Sequence, residues 1–524
     1  MLLLHICHQQ QEQIQIQQEQ IHLLKEQVQG LKDEIARLKG QKPKPNIKPS
    51  TLEKGTKEPN KTVKDNGKRP GSDKRSKTQE LEVHETINVP PEIIPEGSQF
   101  KGYKDYTIQD IVLKAHNTKY QLEVWKTPDG QVLIGKPPEG VSVGHFGSTL
   151  VSFILYQYYH AHVTQPLIWE QLTEFGVDIS TGQVNRIITE NKEQFHREKD
   201  DILKVGLEVS LYLNTDDTGA RHKGKNGYCT HIGNAWFAWF ESTNSKSRIN
   251  FLQLLRGGYV DYVLNVDALA YMKANKLPEG PYSQLFALGE CAYANEAQWI
   301  AGISALGITN ARHVRIATEG ALLGSVIHHG INPDAVILSD DAGQFNVLQH
   351  ALCWIHAERL INKLVGFNDE QRAALDAKRT EIWNFYVELK AYKLAPTAEK
   401  KAELDSRFDT IFTEKTCFIS LNNALERLHK NKAELLLVLD RPDIPLHNNE
   451  SERDIREYVK KRKISGSTRS TLGRQCRDTF ASLKKTCRKL GISFWQYLKD
   501  RISGSHTIQP LPELIRQRAE EAYR

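Results

Sequence analysis

The sequence predicts an α/β protein whose sheet core is interrupted by a helical insertion. Three observations predict it. Residues 207–261 carry successive β-branched and aromatic runs, Ala335–Ser339 is a short apolar run after Asn332-Pro333, and residues 369–440 carry helical stripes such as EIWNFYVELKAYKL. Strands followed by mixed elements with interposed helices is the pattern of such a core.

The chain has 524 residues, which at about 150 residues per domain suggests three or four folded units. Hydrophobic residues are 39% and charged residues 26%, as expected for a globular protein with a disordered portion. No run of 18 apolar residues occurs, so no membrane partner is expected. Met1–Leu4 lacks the basic flank of a secretory signal. The seven cysteines are scattered without a CxxC pair, which points to a reducing compartment and a cytoplasmic location.

Residues 1–39 read as a coiled coil. Ile14, Ile21, Val28 and Ile35 recur every seven residues, with Leu24, Leu31 and Leu38 between them. β-Branched and Leu positions alternating in this way favour a parallel dimer; the alternative is one amphipathic helix packed on its own protein. Residues 40–90 read as a basic disordered linker. From Lys39 to Lys77 there are 13 Lys/Arg against 4 Asp/Glu, a tether that does not bury enough surface to fold. It serves equally as a solvated spacer or as a DNA arm.

Residues 91–140 read as a small β module built from TIQDIV, YQLEVWKT and QVLIGK, with a hairpin turn at Pro128-Asp129-Gly130. Residues 141–200 read as helical. LIWEQLTEFG, VDIS and TGQVNRIITEN have the form helix, turn, helix, with Ser180 or Thr181 as cap. Such a pair can present Gln183, Asn185 or Arg186 to a major groove, although any tight helical pair has the same pattern. Residues 201–365 are the expected core, with strands LEVSLYLNTDDT, YCTHIGNAWFAWFES and INFLQLLRG, and a long helix from about Phe345 to Leu364. Trp236, Trp239 and Phe240 are expected in that core. Residues 262–310 fit no element. Residues 366–440 are the insertion, and residues 441–524 return to the core.

Two strands end in paired acids, Asp216-Asp217 and Asp340-Asp341. The C-terminal end of a buried strand is where open α/β sheets hold their chemistry. Neighbouring strand residues face opposite sides, and Asp216 shares parity with the more polar set of Ser210, Tyr212 and Asn214. A third acid comes from Glu450 or Glu452, which point in different directions on a helix. From Arg453 to Arg501 there are 15 Lys/Arg against 4 Asp/Glu. Arg453, Arg456, Lys460 and Lys463 form a helical stripe. Carboxylates hold Mg²⁺, a pair of such ions serves phosphodiester chemistry, and flanking cations bind phosphates. Each acid taken singly is equally a turn cap.

Leu213-Asn214-Thr215-Asp216-Asp217-Thr218 resembles the first-aspartate motif of bacterial insertion-sequence transposases of the IS-sixty-six type. Leu338-Ser339-Asp340-Asp341, with Phe345 beyond, is similar to their second-aspartate strand. Cys353-Trp354-Ile355-His356-Ala357-Glu358-Arg359 resembles their Cys-Trp-x-His-x-x-Arg helix. Asn448-Asn449-Glu450-Ser451-Glu452-Arg453-Asp454-Ile455-Arg456, followed by Lys461-Arg462-Lys463, resembles their Asn-Asn-x-x-Glu-Arg-x-x-Arg and basic block. Asp217 in place of a usual Glu, and His447 in place of a common Asp, depart from the pattern.

The resemblance implies a DDE transposase with a ribonuclease-H-like mixed sheet, preceded by a coiled coil, a β module and a helix-turn-helix region. It implies Asp216, Asp340 and Glu452 as the catalytic, metal-binding acids for Mg²⁺ or Mn²⁺, with Glu450 as the alternative third acid. Arg453, Arg456, Lys460, Lys461, Arg462, Lys463 and, in the helical pair, Arg186 are the expected DNA contacts. Cys353 and His356, one turn apart on a helix, are expected to support the pocket, the alternative being a packed core pair. The expected partners are double-stranded DNA at element ends and target sites, a second subunit through the coiled coil, and accessory proteins of the element, in a nucleoid-associated setting. No zinc is expected before residue 228, since only Cys7 lies there. The rivals are a catalytically inactive transposase-derived DNA-binding protein and a structural nucleoid protein built on the coiled coil and tether.

Overall fold

The computed structural model of this chain describes residues 83–138 and 145–523. The heptad helix expected over 1–39 and the linker up to residue 82 lie outside the described residues. Of the three β-like runs near 97–138, two contribute strands: β1 (Val124–Lys126) and β2 (Val132–Ile134) pair antiparallel. Gly130, at φ 88°, donates its N–H to the Thr127 carbonyl and closes the turn, a conformation that glycine adopts without strain. The TIQDIV run forms no strand. All of residues 107–112 are exposed, so its β-prone side chains have no half-buried sheet face to fit.

A helical layer follows: α1 (Ser148–Leu155), a π-helical turn at Tyr156–His160, α2 (Gln165–Glu174), α3 (Thr181–Thr189) and α4 (Glu193–Val209). Ser180 caps α3 by accepting the Gln183 N–H at 3.1 Å. Ile168, Leu172, Val184, Ile187 and Ile188 are buried between these helices, while Asn185 and Arg186 face outward. Helix α4 runs to Val209, so the strand expected from Leu207 begins only at Tyr212. Gly206 near its end lets the Phe237 ring lie directly on the helix; a Cβ there would overlap the ring.

The next elements are β3 (Tyr212–Gly219), β4 (Tyr228–Gly233), β5 (Ala238–Thr243), α5 (Arg248–Arg256), β6 (Tyr262–Leu264), α6 (Val266–Ala274), α7 (Glu279–Ala287), β7 (Cys291–Tyr293), α8 (Glu296–Ala305), α9 (Ala311–His328), β8 (Val336–Ser339) and β9 (Gln349–Leu352). Five of the strands form a mixed sheet in the order β5-β4-β3-β8-β9. β5, β4 and β3 run antiparallel, and β8 and β9 run parallel to β3.

Three expectations change here. INFLQLLRG is helix α5, because Ser247 caps it (Asn250 N–H, 3.2 Å) and Phe251, Leu252, Leu254 and Leu255 bury one helical face. The segment from Phe345 is strand β9 and then a helix from Trp354. Leu348 sits at φ 55°, which breaks any helix there, and β8 offers an open parallel edge. Residues 262–310, unplaced by pattern, form the β6–β7 pair with α6, α7 and α8. Trp239 and Phe240 are buried and Trp236 is half-buried.

After α10 (Trp354–Asn362), the insertion comprises α11 (Asp369–Leu394), α12 (Ala398–Thr413), α13 (Ile419–Lys430) and α14 (Lys432–Leu435). It has its own core, in which the Trp354 ring sits among Phe385, Phe408 and Phe412. The chain returns through α15 (Asn449–Ser465), α16 (Thr471–Lys489), α17 (Phe494–Ser503) and α18 (Leu511–Tyr523).

The sheet separates two apolar layers. Leu213, Ile232 and Ile337 join the core of the N-terminal helices, whereas Val336 and Leu338 join that of the insertion. The free edge of β5 is covered by α16. Asp478, Ser482 and Thr486, one helical turn apart, accept the N–H groups of Ser242, Phe240 and Ala238 at 2.8, 2.9 and 3.2 Å. A strand edge that would otherwise recruit another chain is thereby paired.

Candidate active site

Asp216 lies on the central strand β3, opposite His231 of β4. β3 and β8 are parallel with Asn214 beside Leu338, so Asp216 and Asp340 share one face of the sheet by the two-residue period. Helix α15 packs on that face and contacts β3 and β4. Burial pushes the Asp216 carboxyl up to about 7, and the carboxylates of Asp340, Glu452 and Asp217 add to the effect. The Asp217 N–H, donated to Asp216 Oδ1 at 2.7 Å, opposes it. Acids from β3, the end of β8 and the first turn of α15 thus share one electrostatic field. Asp217 is engaged by Thr230 at 2.6 Å and Gln344 at 2.9 Å. Asp341 is engaged by Arg427 and Asn431 of α13 and its C-terminal end. Of the paired acids, Asp216 and Asp340 are the ones on the α15 face.

Glu452 and Glu450 diverge as helical geometry requires. Glu452 is held by Arg359 through both guanidinium nitrogens, at 2.8 and 3.3 Å, with His356 Nε2 at 3.5 Å. Glu450 instead accepts from Asn214 at 3.4 Å. Burial lowers the His356 pKa, against the pull of Glu452 and Asp340. Cys353, buried and with its thiol pushed up to about 11, accepts the Asn448 N–H at 3.2 Å. Asn448 donates its amide to the Thr215 carbonyl at 2.6 Å. Cys353 and Asn448 therefore tie the start of α10 to the start of α15 and to the backbone beside Asp216. As these side chains stand, no three His, Cys, Asp or Glu residues among the described residues converge enough to hold a metal ion; Glu452 is turned to Arg359. The donor chemistry of Asp216, Asp340 and Glu452, all carboxylate oxygens, is that of a hard divalent cation such as Mg²⁺ or Mn²⁺.

Two histidines that the sequence reading left out brace this arrangement. His231, fully buried, shares a 2.7 Å hydrogen bond with Ser451 through Nδ1 and lies 3.3 Å from Asp454 through Nε2. Burial alone would raise the Asp454 pKa, but His231, Lys489 and Lys485 hold it well below the usual carboxylate range. His350 binds Ser339 at 2.8 Å and Glu434 at 3.0 Å. Ser451 precedes Glu452 and Ser339 precedes Asp340, so each acid has a histidine contact on the residue before it. The signal available in sequence was only a polar residue inside an otherwise apolar strand. Arg359 was visible within the Cys-Trp-x-His-x-x-Arg helix.

The basic residues divide. Arg453, Arg456, Lys460 and Lys463 are exposed on α15, and Arg186 is exposed on α3. Lys461 departs from its expected role as a DNA contact: it is 4% exposed, donates to the Tyr158 carbonyl at 2.7 Å and sits 3.5 Å from the Tyr158 ring centre. The helix turns it inward because it lies off the stripe made by residues 453, 456, 460 and 463. Arg462 is half-buried and donates to Thr218 and to the Gly219 carbonyl, pinning the end of β3.

Among the described residues no helix is long and apolar enough to cross a membrane. A protein of Sinorhizobium fredii (strain NBRC 101917 / NGR234), named Uncharacterized protein y4jO, is 43% identical over 321 residues, which is 61% of this chain and 100% of that protein. The family model Transposase IS66 family matches residues 326–475, a stretch that contains Asp340, the Cys353–Arg359 helix start and Glu452. The chain belongs to the IS66 transposase family.

Proposed function

We propose that this chain is a DDE transposase with a ribonuclease-H-like core that cleaves insertion-sequence ends and transfers them to target DNA by phosphoryl transfer. The observation that carries the reading is the shared field of Asp216, Asp340 and Glu452, drawn from three distant segments. The sheet order, three antiparallel strands continued by two parallel ones, supports the core assignment.

Asp216, Asp340 and Glu452 would hold the divalent ions. When bound, such ions activate the attacking oxygen and stabilise the leaving oxygen. Arg359 keeps Glu452 oriented until the site is loaded. Arg453, Arg456, Lys460 and Lys463 bind backbone phosphates next to the acids, offsetting the repulsion that carboxylates alone would exert. Water attacks the phosphodiester at an element end, and the freed 3′-hydroxyl then attacks target DNA at the same acids. The N-terminal heptads pair two subunits, which brings two ends together; accessory proteins and nucleoid association belong to the same proposal.

A second reading, DNA binding without catalysis, is favoured by the bidentate Arg359–Glu452 pair, which engages the third acid. The test is strand cleavage with Mg²⁺ on duplex carrying the element's ends. Asp216→Asn, Asp340→Asn and Glu452→Gln should each reduce cleavage to background while duplex binding persists. Full activity in Asp216→Asn removes the site assignment. An inactive wild type that still binds favours the second reading.

A further inference from the structure

Beyond the acids, β3 and β4 continue into a hairpin whose tip has an unusual construction. His222 and Lys225 pair across a two-residue turn, with N–H···O bonds of 3.0 and 2.9 Å, and Lys223 and Gly224 stand at φ 49° and 76°. Positive φ at both central positions is the type I′ hairpin turn, in which Asn or Gly is favoured. A lysine there is backbone strain of the kind found at functional positions.

The tip is also braced. The Lys223 N–H donates to the Thr468 carbonyl at 2.8 Å, and the Thr468 N–H donates to the Arg221 carbonyl at 3.2 Å. His222 Nδ1 meets Thr468 Oγ1 at 2.9 Å. Thr468 lies in the α15–α16 loop and is buried, so hairpin and loop form one rigid unit.

This unit carries cations without counter-charges. No Asp or Glu occurs between residues 218 and 240 or between 458 and 477. Arg221, Lys223, Lys225 and Arg469 are exposed, and among the described residues none of them forms a salt bridge with an acid. Burial, then the charges of Arg474 and Lys223, lower the His222 pKa. The hairpin tip, residues 219–227, and the loop, residues 466–470, hold no Phe, Tyr or Trp, whereas proteins that grip single strands use aromatic platforms for stacked bases.

We infer that the β3–β4 hairpin tip and the α15–α16 loop form a preorganised clamp for the phosphate backbone of double-stranded DNA flanking the site of chemistry. The inference rests on the DNA-processing reading above and adds a second contact surface to it. Seven residues separate Asp216 from Lys223, at most about 23 Å of strand, or roughly seven base pairs of duplex. Bracing and strain serve the same end: charges held in place before binding lose less freedom on contact.

The test uses the full chain and a duplex of about 40 base pairs of arbitrary sequence in a salt series. Lys223→Gln combined with Lys225→Gln and Arg469→Gln should lower the slope of log affinity against log salt by about 2.7, at about 0.9 per lost phosphate contact. Lys223→Asn alone should raise thermal stability, by relieving the turn, while weakening duplex binding; those opposite movements are not those of a merely structural lysine. An unchanged slope in the triple variant, with wild type binding steeply, overturns the clamp and leaves the proposed function standing. Wild type that binds no duplex overturns both. A loss confined to phosphatidylserine vesicles, with duplex binding intact, also overturns the clamp.

Discussion

Lys461→Met separates a buried lysine from a phosphate-binding one. Burial, with Arg477 and Lys484 nearby, pulls the Lys461 amine from its ordinary 10.5 down to about 7. The Tyr158 carbonyl and ring favour the charged form, and desolvation outweighs them. Between pH 7 and 10.5 the unfolded chain therefore binds the proton that the folded chain has released, and stability rises with pH across that window. The full difference is about 5 kcal/mol, of which about 4 kcal/mol weighs against the fold at pH 7. Methionine removes this penalty but leaves the Tyr158 carbonyl without its donor, a loss of about 1–3 kcal/mol. The expected net gain at pH 7 is roughly 2 kcal/mol, shrinking towards pH 10. Urea unfolding at pH 6, 7.5 and 9.5 reads it, and duplex binding in a salt series should keep its slope. A destabilised variant at pH 6, or a slope reduced by about 0.9, would refute the reasoning and return Lys461 to the DNA surface.

Ser482→Ala should orphan the buried Phe240 N–H at the β5 edge and destabilise by about 1–3 kcal/mol in urea unfolding, with DNA binding unchanged. His231→Ala leaves Ser451 and Asp454 buried without their ring. Because Lys485 and Lys489 remain beside Asp454, a loss of about 1–3 kcal/mol is expected, and a variant as stable as wild type would show that α15 does not depend on this contact. Asp216, with its carboxyl at about 7 in the fold, is ionised in the unfolded chain first. Stability without divalent ions should therefore fall from pH 4 to pH 7, by up to about 4 kcal/mol, and Asp216→Asn should flatten that fall. His350→Ala should slow cleavage while leaving duplex affinity intact, with His350→Gln restoring part of the rate; equal loss of binding would mark His350 as a general stabiliser.

The side of β3 on which Asp216 lies was legible in the sequence. Asp216 stood out by strand parity, and the start of α15 was marked by its Asn residues and its charge stripe. Ser180 announced α3, and the turn at Asp129-Gly130 announced the β1–β2 hairpin. Local patterns are ambiguous elsewhere: INFLQLLRG contains a β-branched and an aromatic residue, yet its cap and four-residue spacing make it helix α5. Leu207–Ser210 looked like the start of a strand, but Leu207 is buried on the last turn of α4.

The sequence by itself determined the residue types and the order of the acids, because charge, parity and capping are properties of short segments. Only the tertiary structure decided the partners. It turned Lys461 inward, gave Glu452 to Arg359, and set His231 and His350 against the residues preceding two of the acids. Those pairings join residues as far as 303 positions apart. They depend on how helices seat on the sheet, which no local pattern encodes.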